Sequence, residues 1–188
     1  MKNESKGTSM RMHPQKFAMW IFIVSVMMLF AALTSAYVVK QSDGEWLDFI
    51  MPSMFNYTSI LIVLSSLTIH WALIETKKEN LKNIRIALAL TFIFALAFIY
   101  GQYLAWSELV DQGVYFVGNA AGSFLYVLTG VHGVHLFSAI LFLLYVLYSA
   151  FNSNHNPKRL LRMEMCVTYW HFLGGLWLYL YLFLTLNH

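Results

Sequence analysis

The sequence predicts an all-α integral membrane protein with five transmembrane helices, its N-terminus in the cytoplasm and its C-terminus outside. Of its 188 residues, 59% are hydrophobic and only 11% are charged, whereas soluble domains carry about 25% charged residues. A soluble core of this length could not bury so much apolar surface. The few charged residues also divide the chain into uncharged stretches long enough to cross a bilayer.

The uncharged stretches place the individual helices. About 20 apolar residues cross the hydrocarbon layer, so four stretches are read as one span each: Phe17–Val39, Phe49–Ile74, Ile86–Ser107 and Met165–His188. The first is longer than the about 7–15 apolar residues of a signal peptide and is interpreted as a retained helix. We expect a cytoplasmic tail, 1–16, and a single membrane domain, 17–188, with helices at about 17–40, 53–75, 85–107, 120–151 and 164–187.

The remaining stretch, Gln112–Pro157, is twice as long as the others and has room for one span or two. Basic residues collect on the cytoplasmic side of membrane proteins. A single span puts all but one of the 12 basic residues on that side, with Lys40 opposite. Two spans would move Lys158, Arg159 and Arg162 across and remove the bias. The sequence therefore predicts one helix here, and the same bias orients the termini.

Turn-forming residues limit this fourth helix. Gly118, Asn119 and Gly122 place its start near Ala120, and Asn152, Asn154 and Pro157 end it near Phe151. At 1.5 Å per residue it is about 45 Å long, so it must tilt or project beyond the bilayer. Aromatic residues near the predicted span ends are expected to anchor the helices at headgroup level: Trp20, Tyr37, Trp46, Trp71, Tyr100, Trp106, Tyr148 and Trp170.

The composition excludes several classes of function. Cys166 is the single cysteine, which excludes a disulfide framework, a CxxC redox pair and a cysteine-ligated iron–sulfur cluster. The sequence shows no nucleophile beside a base, no paired carboxylates within a span and no phosphate-binding loop. Because the basic residues are sorted by side, the net charge of +3 reports membrane topology and not nucleic-acid binding.

Four histidines lie in predicted spans, where ionisable side chains are costly: His70, His132, His135 and His171. The spacing of His132 and His135 puts both imidazoles on one helical face. Gly130 and Gly133 border that face, so a neighbouring helix can approach closely. We interpret these two imidazoles as interhelical hydrogen-bonding groups; the alternative is axial ligation of haem or metal. His70 is interpreted as interfacial.

The fifth helix brings further polar residues into the membrane. Glu164 and His171 are two turns apart and share a stripe with Thr168, and Glu164 suits the positive end of the helix dipole. One hypothesis satisfies all the polar groups at once: a hydrogen-bonded chain of His132, His135, His171 and Glu164 across the fourth and fifth helices. On the second helix, a polar stripe is suited to helix–helix contact: Asn56, Thr58, Ser65, Ser66 and Thr68.

These motifs resemble subunit III of the haem–copper terminal oxidases, in its short five-helix bacterial form. The segment Thr129-Gly130-Val131-His132-Gly133-Val134-His135 resembles the family's TG-x-HG-x-H signature. Glu164, Tyr169-Trp170-His171-Phe172 and Trp177 resemble its E-x4-YWHF-x4-W signature, and Gln102, Trp106 and Glu108 resemble the segment ahead of the fourth helix. The resemblance extends over about residues 17–185.

Two positions depart from the family pattern. The family's first helix carries a Glu directly after the Ser, whereas here Ser25 is followed by Val26. An Asp usually follows the YWHF motif, whereas this chain continues Leu173-Gly174-Gly175. The chain therefore lacks two carboxylates that could take part in proton handling.

The resemblance implies an accessory subunit of the bacterial cell membrane that has no cofactor of its own. Haem and copper would lie in subunit I, and electrons would come from cytochrome c through subunit II, or from quinol. This chain would pack mainly against subunit I, contact subunit II, sustain proton uptake, and hold phospholipid in a cleft between its first two helices and the other three. The sequence leaves open whether the complex joins a supercomplex with a quinol-oxidising complex.

Three alternatives remain at the level of sequence. One is the subunit-III-like accessory of a nitric oxide reductase, and another is a b-type membrane cytochrome subunit that uses the intramembrane histidines as haem ligands. The third is a small transporter, which the absence of internal repeats and of broken helices disfavours.

Overall fold

The computed structural model describes residues 13–42, 51–152 and 158–187. These residues form five α-helices and no strand: α1 Pro14–Gln41, α2 Met54–Lys77, α3 Leu81–Asp111, α4 Ala120–Asn152 and α5 Arg159–Leu186. Each helix is long and apolar enough to cross a membrane. The predicted five-helix membrane fold is therefore confirmed, with α4 as one helix. Five residues named above lie outside the described ranges: Phe49, Trp46, Asn154, Pro157 and His188.

The helices extend beyond the uncharged stretches that predicted them. α3 begins at Leu81 instead of 85 and ends at Asp111 instead of 107, and α5 begins at Arg159 instead of 164. Charged residues do not end a helix, because long basic side chains reach the headgroup layer while their backbone stays helical. The ends of the uncharged stretches therefore indicate the extent of the hydrocarbon layer and not the ends of the helices.

α2 and α3 form the closest helix pair. A short turn joins them, with Glu79 at a φ of 57°. Their contact is close at Gly101, where a Cβ atom would lie 2.5 Å from Thr58 Cγ2. About three helical turns further along α2, the hydroxyl oxygens of Thr68 and Thr91 are 2.8 Å apart. Small residues and hydroxyls thus bring the two backbones together, as expected for helices that associate in lipid.

α5 lies against α2 on one side and α4 on the other. Trp170 Nε1 donates to Ser65 Oγ at 3.0 Å, and Trp177 Nε1 donates to Ser59 Oγ at 3.1 Å. On the other side, Tyr169 O–H lies 2.8 Å from Ser138 Oγ. These bonds fix the rotation of α5 between its two neighbours.

α1 contacts α4 and α5 and is tied to α5 at both ends. Lys16 Nζ lies 2.6 Å from Glu164 Oε2 at one end. At the other end, Tyr37 O–H and Gln41 Nε2 both donate to the backbone oxygen of Asn187, at 2.8 and 2.9 Å. Within the described ranges no contact joins α1 to α2. The expected cleft between the first two helices and the other three is therefore wrong, because α2 packs against α3 and α5.

Candidate functional site

The centre of the bundle is His132, at the point where α1, α3, α4 and α5 meet. Its side chain is 1% exposed. Three aromatic rings from the other helices surround the imidazole: Trp177 at 5.3 Å, Phe98 at 6.2 Å and Phe30 at 6.5 Å between ring centroids. The rings hold His132 in one orientation, but their edges offer the imidazole no strong hydrogen-bond acceptor.

Neither ring nitrogen of His132 has a hydrogen-bond partner among the described residues. A neutral imidazole carries one donor and one acceptor, and each is costly to leave unpaired in an apolar interior. The neighbouring His135 differs, since its Nδ1 lies 2.8 Å from Val131 O. Because a carbonyl only accepts, Nδ1 of His135 holds the proton. The two histidines of the motif thus have different surroundings.

The structure does not bring His132, His135, His171 and Glu164 into one hydrogen-bonded chain. Glu164 pairs with Lys16, and the Thr168 hydroxyl donates to the backbone oxygen of Glu164 at 2.8 Å. Glu164 lies in the second turn of α5, not at its start. A carboxylate costs less near the polar surface beside a lysine than in a chain at the bundle centre.

His171 lies on the outer face of α5, beside His70 of α2. Their ring centroids are 5.8 Å apart, and both side chains are exposed in this chain. The sequence placed His70 at the interface by its position alone. The pairing with His171 depends on the rotation of two helices, which the sequence does not show.

Most of the family-motif side chains form contacts inside the bundle. Trp170 and Trp177 contact α2, Tyr169 contacts α4, and Phe172 packs at the edge of the core. Trp106 Nε1 donates to Thr129 Oγ1 at 3.2 Å, and Gln102 Nε2 donates to Thr58 Oγ1 at 3.3 Å. Glu108 is half-buried near the end of α3, where its backbone oxygen accepts from Gln112 N–H.

Two of the aromatic residues expected to anchor the helices in lipid are buried instead. Trp170 is 1% exposed and Tyr37 is 0% exposed. Each directs its polar atom to a partner inside the bundle, Ser65 Oγ for Trp170 and Asn187 O for Tyr37. An intramembrane Trp or Tyr satisfies its N–H or O–H in this way when it faces another helix.

Sequence reasoning missed Ser59 and Ser138 as partners of the motif. Ser59 accepts from Trp177, and Ser138 bonds to Tyr169. A signal was present for Ser59, since Ser59 and Ser65 are six residues apart and Trp170 and Trp177 are seven apart. Because the rise per residue is the same in both helices, these spacings let Ser65 face Trp170 and Ser59 face Trp177 when the two helices run antiparallel. The predicted stripe on α2 otherwise holds, with Thr58, Ser65 and Thr68 in contact with α3 or α5.

The two departures from the family pattern fall at closely packed positions. Val26 is 3% exposed, and Phe22 and Phe30, one turn before and after it, both contact the His135 ring. At Gly174, a Cβ atom would lie 3.2 Å from Ser66 Oγ. A side chain at position 174 would therefore require the Ser66 hydroxyl to move by a few tenths of an ångström.

The surface of the described bundle has grooves between α3 and α4, among α1, α4 and α5, and between α2 and α5 beside His70 and His171. The α3–α4 groove has a volume of about 430 Å³ and is lined by Phe98, Gln102, Trp106, Gly130, His132, Gly133 and neighbouring residues. The α1–α4–α5 groove has a volume of about 510 Å³ and is lined by Gln15, Met19, Phe22, Phe142, Tyr145, Arg162 and neighbouring residues. Within the described residues, no cluster of three or more His, Cys, Asp or Glu side chains has the geometry to hold a metal ion.

Comparison with known proteins decides the family. Residues 3–187 match the family described as cytochrome c oxidase subunit III. The chain belongs to this family. Subunit 3 of the cytochrome bo(3) ubiquinol oxidase of Buchnera aphidicola (strain APS) is 30% identical over 91% of this chain and 85% of its own length. Subunit 3 of the cytochrome c oxidase of Thermostichus vulcanus is 26% identical over 95% of this chain and 93% of its own.

Membership of the cytochrome c oxidase subunit III family establishes the chain's class. It is a multi-pass protein of the bacterial inner membrane and an accessory subunit of a haem–copper oxidase, without a redox centre of its own. It is part of an enzyme complex but does not itself hold the catalytic centre. The structure explains the family signatures as contacts between helices, with His132 as the exception that has no partner within the described chain.

Proposed function

We propose that this chain packs against the haem-bearing subunit I of an oxygen-reducing complex, also contacts subunit II, and keeps subunit I in its active form during turnover. The observation that supports this is the use of its polar residues. Tyr169 and Trp170 of the YWHF signature, Trp177, and Ser65 and Thr68 of the α2 stripe form hydrogen bonds between helices, which build a rigid bundle and not a reaction site. A rigid neighbour restrains the subunit on which it packs.

Support for proton uptake would be indirect. Among the described residues, the one buried carboxylate is Glu75, which accepts from Asn83 Nδ2 at 2.8 Å and from Lys78 Nζ at 3.2 Å. It lies in the last turn of α2, near the membrane surface, and the mid-membrane position after Ser25 holds Val26. This subunit would therefore assist proton uptake by shaping subunit I and not by relaying protons itself.

Phospholipid is proposed to bind in the α1–α4–α5 groove. Arg162 stands at its polar end, with its guanidinium 5.3 Å above the Tyr145 ring and Nη1 donating to Ser149 Oγ at 3.3 Å. Phe22, Phe142 and Met19 line the apolar remainder. An anionic headgroup would bind at Arg162 and an acyl chain would lie along the apolar residues, with about 1 kcal/mol from each basic residue near the surface.

The test is a mild-detergent purification of the tagged chain, followed by an optical spectrum and peptide identification. We expect a large haem-bearing subunit that reduces oxygen to co-purify with this chain. The variants His132→Leu and Glu164→Gln should weaken the association or shorten the turnover lifetime while leaving the haem bands unchanged. A colourless chain purified alone would contradict the proposal, and a shifted haem band in either variant would count against an accessory role.

The same preparation tests the lipid site. Lipid extracted from the complex should contain anionic phospholipid in a fixed ratio to the chain, and Arg162→Gln should lower that ratio. Arg85→Gln is the matched control, because Arg85 lies at the same end of the bundle but is engaged by the backbone oxygen of Ala150 and the Phe151 ring. An equal loss of lipid in both variants would show that the groove has no special role.

A further inference from the structure

The groove between α2 and α5 holds a pair of histidines that the proposed function does not use. It has a volume of about 310 Å³, and its lining includes Ser66 and His70 of α2 and His171, Gly174 and Gly175 of α5. The ring centroids of His70 and His171 are 5.8 Å apart, with 54° between the ring planes. Among the described residues, neither imidazole has a hydrogen-bond partner. Each ring therefore has nitrogens that are free to bind a further group.

Small residues leave space beside the two imidazoles. Ser66 lies one turn before His70 on α2, and Gly174 and Gly175 lie one turn after His171 on α5. The pairing of serines and tryptophans shows that α2 and α5 run antiparallel, so these three small residues lie on the same side of the histidine pair. A Cβ atom on Gly175 would meet nothing within 4 Å. An ion with its bound water therefore has room next to the rings.

The pair lies near the end of the bundle at which most of the basic residues collect. His70 comes seven residues before Lys77, and His171 comes seven residues after Glu164. At 1.5 Å per residue, each histidine is about 10 Å from the charged residue on its own helix. A charged group at this depth costs less than one at the bilayer centre, because headgroups and water are within reach. The route of a cation from the membrane surface to the pair is therefore short.

The separation of the rings suits a single metal ion. A bond from Zn²⁺ to an imidazole nitrogen is about 2.0–2.1 Å long, which puts the ion about 3.2 Å from the ring centroid. Two imidazoles on one tetrahedral ion then have centroids about 5 Å apart. The observed 5.8 Å is close to this value. Both side chains are exposed, so a small rotation of either ring brings the two nitrogens to a common ion.

We propose that His70 and His171 together bind a divalent transition-metal ion of the Zn²⁺ type and so join α2 to α5. Neutral imidazole is the commonest metal ligand in proteins, and it suits transition metals better than it suits Mg²⁺ or Ca²⁺. The described residues offer no larger group of such ligands, so water or a headgroup oxygen supplies the other positions of a tetrahedral ion. The site goes beyond the proposed function and does not depend on it, because both ligands belong to this chain.

The first test measures zinc in the chain, purified with its partners through a tag that contains no histidine. After equilibrium dialysis against buffered Zn²⁺, elemental analysis should find one more zinc per chain in the wild type than in His70→Gln or His171→Gln. Each variant should weaken Zn²⁺ binding by more than the about 10–100-fold that follows the loss of an outer-shell partner. His13→Gln is the matched control, because His13 is an exposed histidine at the start of α1; it should retain the wild-type zinc.

Three results of this measurement would overturn the proposal. Equal zinc content in the wild type and both variants would place the ion elsewhere. Loss of zinc in only one of the two variants would show that the histidines do not share an ion. A wild-type chain that binds no zinc would show that the groove is not a metal site.

The second test uses the wild-type chain alone and so does not depend on how the variants fold. Zn²⁺ should slow amide hydrogen exchange in the last turns of α2, after His70, and in the first turns of α5, before His171, and a chelator should reverse the effect. Slowing in only one of these helices, or equal slowing at the start of α1, would show that the ion does not bridge α2 and α5. A chain that purifies without a haem-bearing subunit would contradict the proposed function and leave both zinc tests in force.

Discussion

At the scale of the residue, neighbouring polar side chains differ in whether they have a hydrogen-bond partner within the described chain. Trp170 and Trp177 each give their indole N–H to a serine of α2. His132 lies beside Trp177, yet both of its nitrogens lack a partner in the described chain. A net hydrogen bond is worth about 0.5–1.5 kcal/mol, whereas an unpaired buried group costs about 1–3 kcal/mol. His132 therefore carries a free-energy cost that no hydrogen-bond partner in the described chain offsets.

Gly101 gives a residue-scale prediction about the α2–α3 contact. Gly101→Ala gains up to about 1 kcal/mol of helix propensity, but its Cβ would lie 2.5 Å from Thr58 Cγ2 and overpacking costs about 1–3 kcal/mol. We expect a net loss of stability, seen as faster amide hydrogen exchange along α2 and α3 in the purified complex. Thr58→Ser, which removes the Cγ2 and keeps the hydroxyl, should restore protection in the double variant.

The control for this prediction is Gly175→Ala, where the new Cβ meets nothing within 4 Å. It should leave exchange unchanged or slow it slightly. If Gly101→Ala protects α2 as well as the wild type does, the close contact between the two backbones is not a constraint on the fold.

At the scale of the element, α1 is the helix that makes the least extensive contact with the rest of the bundle. It packs on α4 and α5 and is joined to α5 by polar contacts at its two ends. α5 contacts three helices, α1, α2 and α4, and α4 also contacts three, α1, α3 and α5. The family signature E-x4-YWHF-x4-W lies on α5, and its residues contact three other helices. Its Glu ties α1, its Tyr ties α4 and its two Trp residues tie α2.

The pair Lys16–Glu164 gives a prediction for the N-terminal end of α1. The side chains are 38% and 32% exposed, so the pair contributes about 0.2–1 kcal/mol and is screened by salt. Glu164→Gln or Lys16→Glu should speed the exchange of amides in the first turns of α1, with less difference from the wild type at high salt. The exchanged pair, Lys16→Glu with Glu164→Lys, should recover protection. A salt-independent loss that the exchanged pair does not repair would show that another property of these residues matters.

At the scale of the whole molecule, most of the basic residues lie at one end of the bundle. The end that holds Lys16, Lys77, Lys78, Lys82, Arg85, Lys158, Arg159 and Arg162 is also the end at which Arg85 binds the last turn of α4 and Lys16 binds Glu164. One set of basic residues thus supplies both the charge bias from which the orientation is predicted and contacts between helices. The opposite end is joined by uncharged groups, Tyr37 and Gln41 with Asn187.

The orientation itself is a prediction for the whole molecule. Because basic residues remain in the cytoplasm, alkaline phosphatase fused after His188 should be active outside, and the same enzyme fused after Asn80, in the α2–α3 turn, should be inactive. A fluorescent protein that folds only in the cytoplasm should give the opposite pattern at the two sites. Activity of the phosphatase at Asn80 would invert the topology and place the α1–α4–α5 groove in the other leaflet.

The sequence by itself determined the number of spans, the single long α4, the sorting of charge and the motifs of the family, because these depend on the order of residue types along the chain. Tertiary structure decided which residues are partners. In a bilayer both the core-facing and the lipid-facing sides of a helix are apolar, so hydrophobic periodicity does not separate them. Val24 is 50% exposed and Val26 is 3% exposed, and Trp20 is 50% exposed and Trp170 is 1% exposed. The rotation and neighbours of each helix set these differences. The same rotations place Glu164 beside Lys16, away from His132, and place His132 beside the α3–α4 groove.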